Sequence, residues 1–333
     1  MKKIYYSFLL FGLILIISCG TPNDPESIAG GDGGYKIVSK FITSGFAQDV
    51  VIDDTLAYIA QGEGGLMIIN IADPHHPKEL STVADSIKGY AYKIAIKDSV
   101  VYVATGAFGI SVVNAANPEN PIVTAYNLPI KPAKSFDVME NFLFTAIGEY
   151  GVKIADISFP TELDPRGETS YIGFIQGINI IPDRNYMILA CGEMGFALVD
   201  ISQMGSGLYP NPMLGWVDTP GYAEDVVSHP DLPYAFIASG TGGLIIVDYS
   251  DSSNIKIIGN YNTGGYAKEV VYKNGKAYVT TELRGLQIID VSNVTAPVRI
   301  GTVETQYAMG LAVDDNYIYV ADQKEGLIII SIP

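Results

Sequence analysis

The chain has 333 residues, of which 48% are hydrophobic and 17% are charged. Such a large share of core-forming residues excludes a globally disordered chain. The formal net charge of −16 disfavours nucleic acid as a partner, because an acidic surface repels phosphate backbones. Helix-type apolar spacing is nearly absent after the first twenty residues, whereas 35 glycines and 22 tyrosines are typical of short strands joined by tight turns.

The chain begins with a positively charged pair, Lys2-Lys3, followed by the apolar run Ile4–Ile17. This run is too short for a comfortable membrane span, and the pattern predicts a secretory signal peptide over residues 1–18. The string Ile-Ile-Ser before Cys19 resembles the bacterial lipobox. The resemblance implies that Cys19 is diacylated and becomes the mature N-terminus. The alternative is an ordinary signal peptide with a chance cysteine.

Residues 19–34 are rich in glycine and predict a flexible tether. With the signal peptide and Cys19, they predict a protein of the cell envelope that a lipid holds to the membrane. The sequence leaves open which membrane this is and which of its faces carries the protein.

One segment recurs seven times after the tether. Each copy contains a glycine followed by an apolar pentad that closes with Asp, Asn or Ser, and successive pentads start 41 to 48 residues apart. The pentads begin at Leu66, Ile110, Val152, Phe196, Leu244, Leu286 and Leu327. A period of forty-odd residues is that of a four-stranded propeller blade. The repeats therefore predict an all-β, seven-bladed β-propeller with four-stranded antiparallel blades over residues 35–333.

The fifth copy shows the expected strands most clearly, at Glu224–Ser228, Tyr234–Ala238, Leu244–Asp248 and Ile255–Tyr261. In every copy the glycine before the pentad is expected to adopt a positive φ in a hairpin turn. The acid or amide that closes the pentad is expected to accept a backbone hydrogen bond in an Asx-turn.

The two ends of the chain complement each other. The seventh copy stops after its third strand, at Pro333, whereas Tyr35–Ile42 reads as an outer strand with no blade of its own. We therefore predict that this N-terminal strand closes the last blade and leaves no open edge in the ring.

The pentads Leu244-Ile-Ile-Val-Asp248 and Leu286-Gln-Ile-Ile-Asp290 resemble the LVIVD repeat, which is named for that string. The similarity extends to the flanks, for example Tyr222-Ala-Glu-Asp-Val-Val227, and covers roughly residues 45–333. It implies a β-propeller on an exported protein. It implies no established activity, and so no catalytic residues.

The residues that most often carry catalysis are few. His75, His76 and His229 lie in proline-rich turns, and adjacent histidines project in divergent directions, so no metal site is predicted. Cys191 lies in an apolar strand pattern that indicates a buried, inert thiol. The sequence predicts neither a nucleophile–base–acid triad nor a cofactor.

One face of the predicted propeller collects aromatic and acidic residues, because the inner strands begin there, close to the central axis. The candidate ligand-binding rim consists of Phe46, Tyr90, Tyr222, Tyr266, Tyr307, Asp49, Asp225 and Glu269. Aromatic faces beside hydrogen-bond acceptors bind sugars, cations or peptide side chains. The structural alternative is that each aromatic ring packs on the next blade and each acid is solvated.

The third and fourth copies depart most from the repeat. Pro132-Ala-Lys134 and Gly177-Ile-Asn179 stand where other copies have Tyr-Ala, and inserts occur at Phe159–Ser170 and Gln203–Pro212. The inserts could form a partner-specific patch, but surface loops tolerate insertions, so loop decoration is the favoured interpretation.

These features favour a non-enzymatic binding or scaffold module whose ligand is a protein or a glycan. The competing interpretation is an extracytoplasmic hydrolase or lyase that uses rim carboxylates, with or without Ca²⁺.

Overall fold

The structure, a computed structural model, describes residues 31–126, 130–161, 163–169, 173–203 and 213–333. The described residues form seven four-stranded antiparallel sheets, and each sheet is one blade of a β-propeller. The predicted fold is therefore confirmed. The predicted signal peptide, Cys19 and most of the predicted tether lie outside the described residues.

Each blade has an inner, a second, a third and an outer strand, counted from the central channel. The inner strands are β2 (Asp49–Asp53), β6 (Lys93–Lys97), β10 (Ser135–Met139), β14 (Gly177–Ile181), β18 (Asp225–Ser228), β22 (Glu269–Lys273) and β26 (Ala308–Val313). The second strands are β3 (Leu56–Ala60), β7 (Val100–Ala104), β11 (Phe142–Ala146), β15 (Tyr186–Ala190), β19 (Tyr234–Ala238), β23 (Lys276–Thr280) and β27 (Tyr317–Asp322).

The third strands are β4 (Leu66–Asn70), β8 (Ile110–Asn114), β12 (Val152–Asp156), β16 (Phe196–Asp200), β20 (Leu244–Asp248), β24 (Leu286–Asp290) and β28 (Gly326–Ser331). The outer strands of blades 1 to 6 are β5 (Lys78–Val83), β9 (Ile122–Ala125), β13 (Asp164–Thr169), β17 (Met213–Val217), β21 (Lys256–Tyr261) and β25 (Val298–Val303). The outer strand of blade 7 is β1 (Lys36–Phe41). Over the described part of the chain, no helix is long and apolar enough to cross a membrane.

The core is divided among the contacts between neighbouring blades. The described residues contain seven clusters of buried apolar side chains, each shared by two adjacent blades. Tyr58 and Ile68 of blade 1, for example, pack with Ile94 and Val103 of blade 2. Both faces of a blade are covered in this way, which explains why the third strands read as continuous apolar runs.

The turns repeat as faithfully as the strands. Gly65 has a φ of +72°, and a side chain there would place its Cβ 2.1 Å from the carbonyl oxygen of Val83. The residue that closes the pentad accepts a hydrogen bond from the amide two residues later at 2.7 to 3.0 Å in six blades. These residues are Asn70, Asn114, Asp156, Asp200, Asp248 and Asp290. Both turn predictions are confirmed, so these acids and amides have a structural role.

The N-terminal strand closes the ring. β1 pairs with β28 from Lys36 opposite Ser331 to Phe41 opposite Leu327. Tyr35, just before the strand, is only 2% exposed and belongs to the cluster between blades 6 and 7. The first and last segments of the propeller therefore share one sheet.

Candidate functional site

The inner strands begin around the central channel on one face of the ring, which we call the entry face. The residue immediately before the channel-lining part of each inner strand forms the mouth ring. Its members are Gln48, Tyr92, Lys134, Gln176, Glu224, Lys268 and Met309. The next residue of each blade forms the channel layer, which consists of Asp49, Lys93, Ser135, Gly177, Asp225, Glu269 and Gly310. All of the mouth ring and four members of the channel layer line a cavity of about 210 Å³, the mouth cavity.

The two glutamines of the mouth ring are oriented by tyrosines of the following blades. Gln48 Nε2 donates to the hydroxyl of Tyr90 at 2.9 Å, and Gln176 Nε2 donates to the hydroxyl of Tyr222 at 2.9 Å. Gln48 Oε1 also accepts from Gln323 Nε2 at 3.3 Å, so within the described residues only Gln176 leaves its carbonyl oxygen as an acceptor at the mouth.

The charges of the mouth ring are unevenly paired. Lys268 Nζ lies 2.7 Å from Glu224 Oε2, and the same carboxylate accepts the hydroxyl of Tyr266 at 2.6 Å. Lys134 Nζ instead lies 5.6 Å from the centre of the Tyr92 ring. Within the described residues, Lys134 forms no ion pair. It is therefore the unneutralised cation of the mouth.

Lys93 closes the channel just below the mouth ring. Its Nζ lies 3.1 Å from Asp49 Oδ1 in blade 1 and 2.8 Å from Glu269 Oε2 in blade 6, across the channel. A second cavity, of about 500 Å³, lies beyond this point and is also lined by Lys93 and Glu269. The ion pair between these two residues thus separates the two cavities.

One cation serves three carboxylates in the channel layer. Burial by itself would lower the pKa of Lys93, but the charges of Asp49, Glu269 and Asp225 outweigh it and raise the pKa. Burial raises the pKa of both Glu269 and Asp225, and Lys93 only partly opposes that rise. Lys93 therefore stays charged, whereas Glu269 and Asp225 bind a proton more readily than exposed acids do.

The channel-lining acids also complete the backbone of the next blade. An inner strand is a sheet edge, so its channel-facing amides lack a partner strand. Asp49 accepts the amide of Ile94 at 2.8 Å, and Asp225 accepts the amide of Val270 at 3.1 Å. Asp49 and Asp225 thus lie inside the channel and join neighbouring blades, whereas Glu269 reaches across the channel to Lys93.

Asp137 lies in the inner strand of blade 3, two residues beyond the channel layer. It also accepts a backbone amide of the next blade, but its charge is less well stabilised. It accepts the amide of Ile180 at 2.6 Å, and burial raises its pKa to about 6 despite that bond. Since the folded-state pKa exceeds the unfolded value, ionisation costs stability as the pH rises through this range. We expect Asp137→Asn to be more stable than the wild type by about 1 kcal/mol at pH 8, with the gain disappearing near pH 4.

Urea denaturation at the two pH values measures this difference. Asp137→Ala is the matched variant, because it removes the acceptor of the Ile180 amide and should lose stability at both pH values. An Asp137→Asn gain that does not change with pH would show that the charge of Asp137 is not its cause.

The predicted rim aromatics occupy two different environments. Phe46 is exposed, whereas Tyr90, Tyr222, Tyr266 and Tyr307 are half-buried. In three cases the ring lies against the glycine of the preceding blade's hairpin turn, where a Cβ would approach within 2.6 to 3.0 Å. These are Tyr90 on Gly62, Tyr222 on Gly192 and Tyr266 on Gly240. The half-buried tyrosines therefore hold adjacent blades together, which is the packing alternative stated above.

Phe174 is a rim aromatic that the alignment of the repeats to one another missed. Its ring lies against Gly148, where a Cβ would be 3.2 Å away, and Ile175 forms the bridge to Gly148 that alanines form in other blades. The fourth copy therefore has Phe174-Ile175 in place of Tyr-Ala, and the assignment of Gly177-Ile-Asn179 to that position was wrong. An aromatic residue three positions before the inner strand was the signal available.

Exposed aromatic side chains are concentrated in blades 1 to 4 of the entry face. We call this set the aromatic arc; its members, 39% to 58% exposed, are Phe46, Tyr92, Phe108, Tyr150 and Phe174. Blades 5 to 7 instead present the hydrogen-bonded tyrosines and the Lys268–Glu224 pair. The entry face is thus asymmetric although the scaffold is repetitive.

The remaining chemistry-bearing residues have structural environments. His229 Nδ1 accepts the amides of Asp231 and Leu232, both at 3.1 Å, which leaves Nε2 to bond the Tyr272 hydroxyl at 3.0 Å. Cys191 is buried, and burial raises the pKa of its thiol to about 12. The described part of the chain contains no cluster of three or more His, Cys, Asp or Glu side chains that could hold a metal ion.

Similar solved structures support the fold. The WD40 beta propeller domain of Doa1 is 13% identical with a TM-score of 0.66, over 90% of this chain and 97% of that one. The computationally designed Ika8 protein is 10% identical with a TM-score of 0.61, over 86% of this chain and 83% of that one. At such identities the likeness shows the fold alone. No curated protein matches the sequence.

The family comparison is more specific because it rests on the repeat itself. The model of the LVIVD repeat matches five segments, and together they cover more than half of the chain. These are residues 44–85, 132–165, 220–263, 264–305 and 306–332. In-phase matches on five blades of the ring establish the relationship: the chain belongs to the LVIVD repeat family.

Proposed function

We propose that this protein is a non-enzymatic binding module of the cell envelope, anchored by a lipid on Cys19, and that it binds its ligand on the entry face. The observation that carries the proposal is the contrast between scaffold and mouth ring. Scaffold positions repeat almost unchanged around the propeller, whereas the mouth ring presents Gln, Tyr, Lys, Gln, Glu, Lys and Met in turn. Side chains that vary on a constant scaffold are what a specific binding site requires.

The aromatic arc also supports the entry face as the binding surface. Phe46, Phe108 and Tyr150 expose more than half of their side chains at one rim. Several exposed aromatic residues around a polar cavity are typical of binding surfaces, where aromatic rings contribute area at a small entropic cost.

A binding role is favoured over hydrolysis or a lyase reaction by the state of the carboxylates. Glycoside chemistry needs two acids that reach the substrate as proton donor and as base or nucleophile. Asp49 and Glu269 are instead bound to Lys93, and Asp225 is bound to a neighbouring amide.

The anchor is tested by labelling with palmitate. We expect the intact protein to incorporate label and to fractionate with membranes, and Cys19→Ala to lose both properties. An unlabelled protein whose Cys19→Ala variant is still processed and membrane-bound would contradict the anchor while leaving the binding face untouched.

The binding face is tested by co-purification of the intact lipoprotein from its own membranes. We expect captured material to be lost with Phe46→Ala and Phe108→Ala combined, since both remove exposed apolar area from the arc. The control combines Lys36→Ala with Ile37→Ala, which removes exposed side chains from the outer strand of blade 7. Equal capture by both double variants would overturn the assignment of the entry face.

A further inference from the structure

The side of the mouth cavity that lies in blades 2 to 4 differs in charge and surface from the rest of the cavity. We infer that this side binds the carboxylate of an acidic sugar, so that the mouth cavity takes one uronic acid residue of a glycan. The inference rests on the proposed function, because it names the class of ligand that the entry face binds.

The first observation is a cation that has no carboxylate beside it. Three lysines of the described chain line the mouth cavity. Lys93 and Lys268 are both held in the ion pairs described above. Lys134 is half-buried, its Nζ lies 5.6 Å from the centre of the Tyr92 ring, and within the described residues it forms no ion pair. A carboxylate of a ligand would supply the missing partner through a charge-assisted hydrogen bond.

The acids of the cavity leave room for the negative charge of a ligand. Both carboxylate oxygens of Glu224 are already bonded, one to Lys268 and one to a tyrosine hydroxyl. Burial raises the pKa of Glu269 and of Asp225, and protonation of either acid removes negative charge from the cavity. The net charge of −16 is screened beyond about 8 Å at physiological ionic strength, so the nearby charges decide the field at the mouth.

The other polar groups of the walls match the hydroxyls of a sugar better than the end of a peptide. Gln176 offers the carbonyl oxygen described above as an acceptor, and the Lys268 ammonium has N–H donors beyond its ion pair. Ser135 lines the cavity with a hydroxyl that can both donate and accept. Sugar hydroxyls also donate and accept, whereas a peptide C-terminus offers one carboxylate and one amide N–H. A mixed set of donors and acceptors around one unpaired cation therefore favours a sugar acid.

Aromatic rings on the same side of the cavity provide apolar faces for the sugar. Tyr92 is 40% exposed and lines the cavity, and Phe108, Tyr150 and Phe174 are exposed nearby in blades 2 to 4. Such rings can cover the C–H face of a sugar and remove it from water. The cavity, at about 210 Å³, is smaller than the pockets of about 300 to 1,000 Å³ that hold drug-sized ligands. It therefore suits a single sugar residue, with the rest of the glycan lying on the aromatic arc.

Isothermal titration of the intact protein with three probes tests the inference. The probes are trigalacturonic acid, its methyl ester, which keeps the sugar rings but has no charge, and the N-acetylated peptide Gly-Gly-Gly with a free C-terminal carboxylate. We expect the acid to bind about tenfold more tightly than the ester, and the peptide not to bind. Lys134→Met should remove this difference by weakening the acid about tenfold while leaving the ester unchanged.

Two further variants serve as controls. Lys134→Arg keeps the positive charge at the mouth and should retain most of the preference for the acid. Lys131→Met removes an exposed positive charge from the same segment of the entry face, outside the lining of the cavity. It should leave both affinities unchanged, which separates a contact made by Lys134 from a general loss of positive charge.

The contrary outcomes differ from those of the proposed function. Equal affinity for the acid and the ester, a preference that persists in Lys134→Met, or no binding of either sugar would overturn the inference. Binding of the peptide in place of the trisaccharide would also overturn it, and would assign Lys134 to the C-terminus of a protein. If captured material is lost with the Phe46 and Phe108 variant although no sugar binds, the entry face remains the binding surface and only its ligand class is wrong.

Discussion

Removal of residues 35–42 should lower the unfolding midpoint of the propeller by about 10 °C or more. The deletion removes strand β1, whose five register pairs with β28 complete blade 7, and it removes Tyr35 from the core between blades 6 and 7. At about 1 kcal/mol for each lost backbone hydrogen bond, the pairing alone accounts for about 5 kcal/mol. A change of that size corresponds to about 10 °C for a domain of this length.

Scanning calorimetry of the deletion and of a matched surface variant separates the effect of losing strand β1 from the effect of losing its side chains. Lys36→Ala combined with Ile37→Ala keeps the backbone of β1 and changes only exposed side chains, so its midpoint should stay within about 2 °C of the wild type. We also expect the deletion to associate, since it leaves β28 as an open apolar edge. A deletion that melts with the wild type would show that the ring does not depend on its N-terminal strand.

Lys93→Met should cost about 3 to 5 kcal/mol at pH 8, the range measured when one partner of a buried ion pair is removed. The substitution leaves Asp49, Glu269 and Asp225 close together with no cation. Burial already raises the pKa of Glu269 and Asp225 in the presence of Lys93, and its removal raises both values further. Because a carboxyl with a raised folded-state pKa loses stability as pH rises, the cost should shrink towards pH 5.

Lys268→Met is the matched control for this prediction. Lys268 forms an ion pair of similar length, 2.7 Å to Glu224, but with 30% of its side chain exposed. Solvent screening limits such a pair to about 1 kcal/mol or less. Adding Glu269→Gln to Lys93→Met should recover part of the loss. Denaturant titrations that give the same cost for both lysines, with no dependence on pH, would contradict a buried charge network at Lys93.

Strand positions could be predicted closely because each repeat confirms the others. The fifth copy was expected at Glu224–Ser228 and Ile255–Tyr261, and the structure has Asp225–Ser228 and Lys256–Tyr261. The hairpin glycines and the Asx-turns were equally predictable, since a positive φ and a backbone hydrogen bond are local requirements. Phe174 was missed because its copy replaces both members of the Tyr-Ala pair.

The sequence predicted which face of the propeller carries the candidate site. It did not predict the chemistry of the site, which depends on contacts between blades. Asp49, Asp225 and Glu269 were expected on the rim, but each turns into the channel, where Lys93 and the amides of the next blade attract it. Lys93 was not among the candidate ligand-binding residues. Its partners in blades 1 and 6 lie 44 and 176 residues away in the chain, and no local pattern relates them.

The sequence by itself determined the seven blades, their strand order and the strand that joins the two ends. These properties follow from local periodicity, turn chemistry and the burial of apolar runs, which each forty-residue segment carries within itself. Only the tertiary structure decided which side chains meet at the central channel. A ring brings together one residue from each of seven distant segments, and charge pairing, burial and unmet hydrogen bonds then depend on all seven at once. The closed propeller could therefore be predicted from the sequence, whereas the mouth cavity and the lysine that bridges the channel could be found only in the tertiary structure.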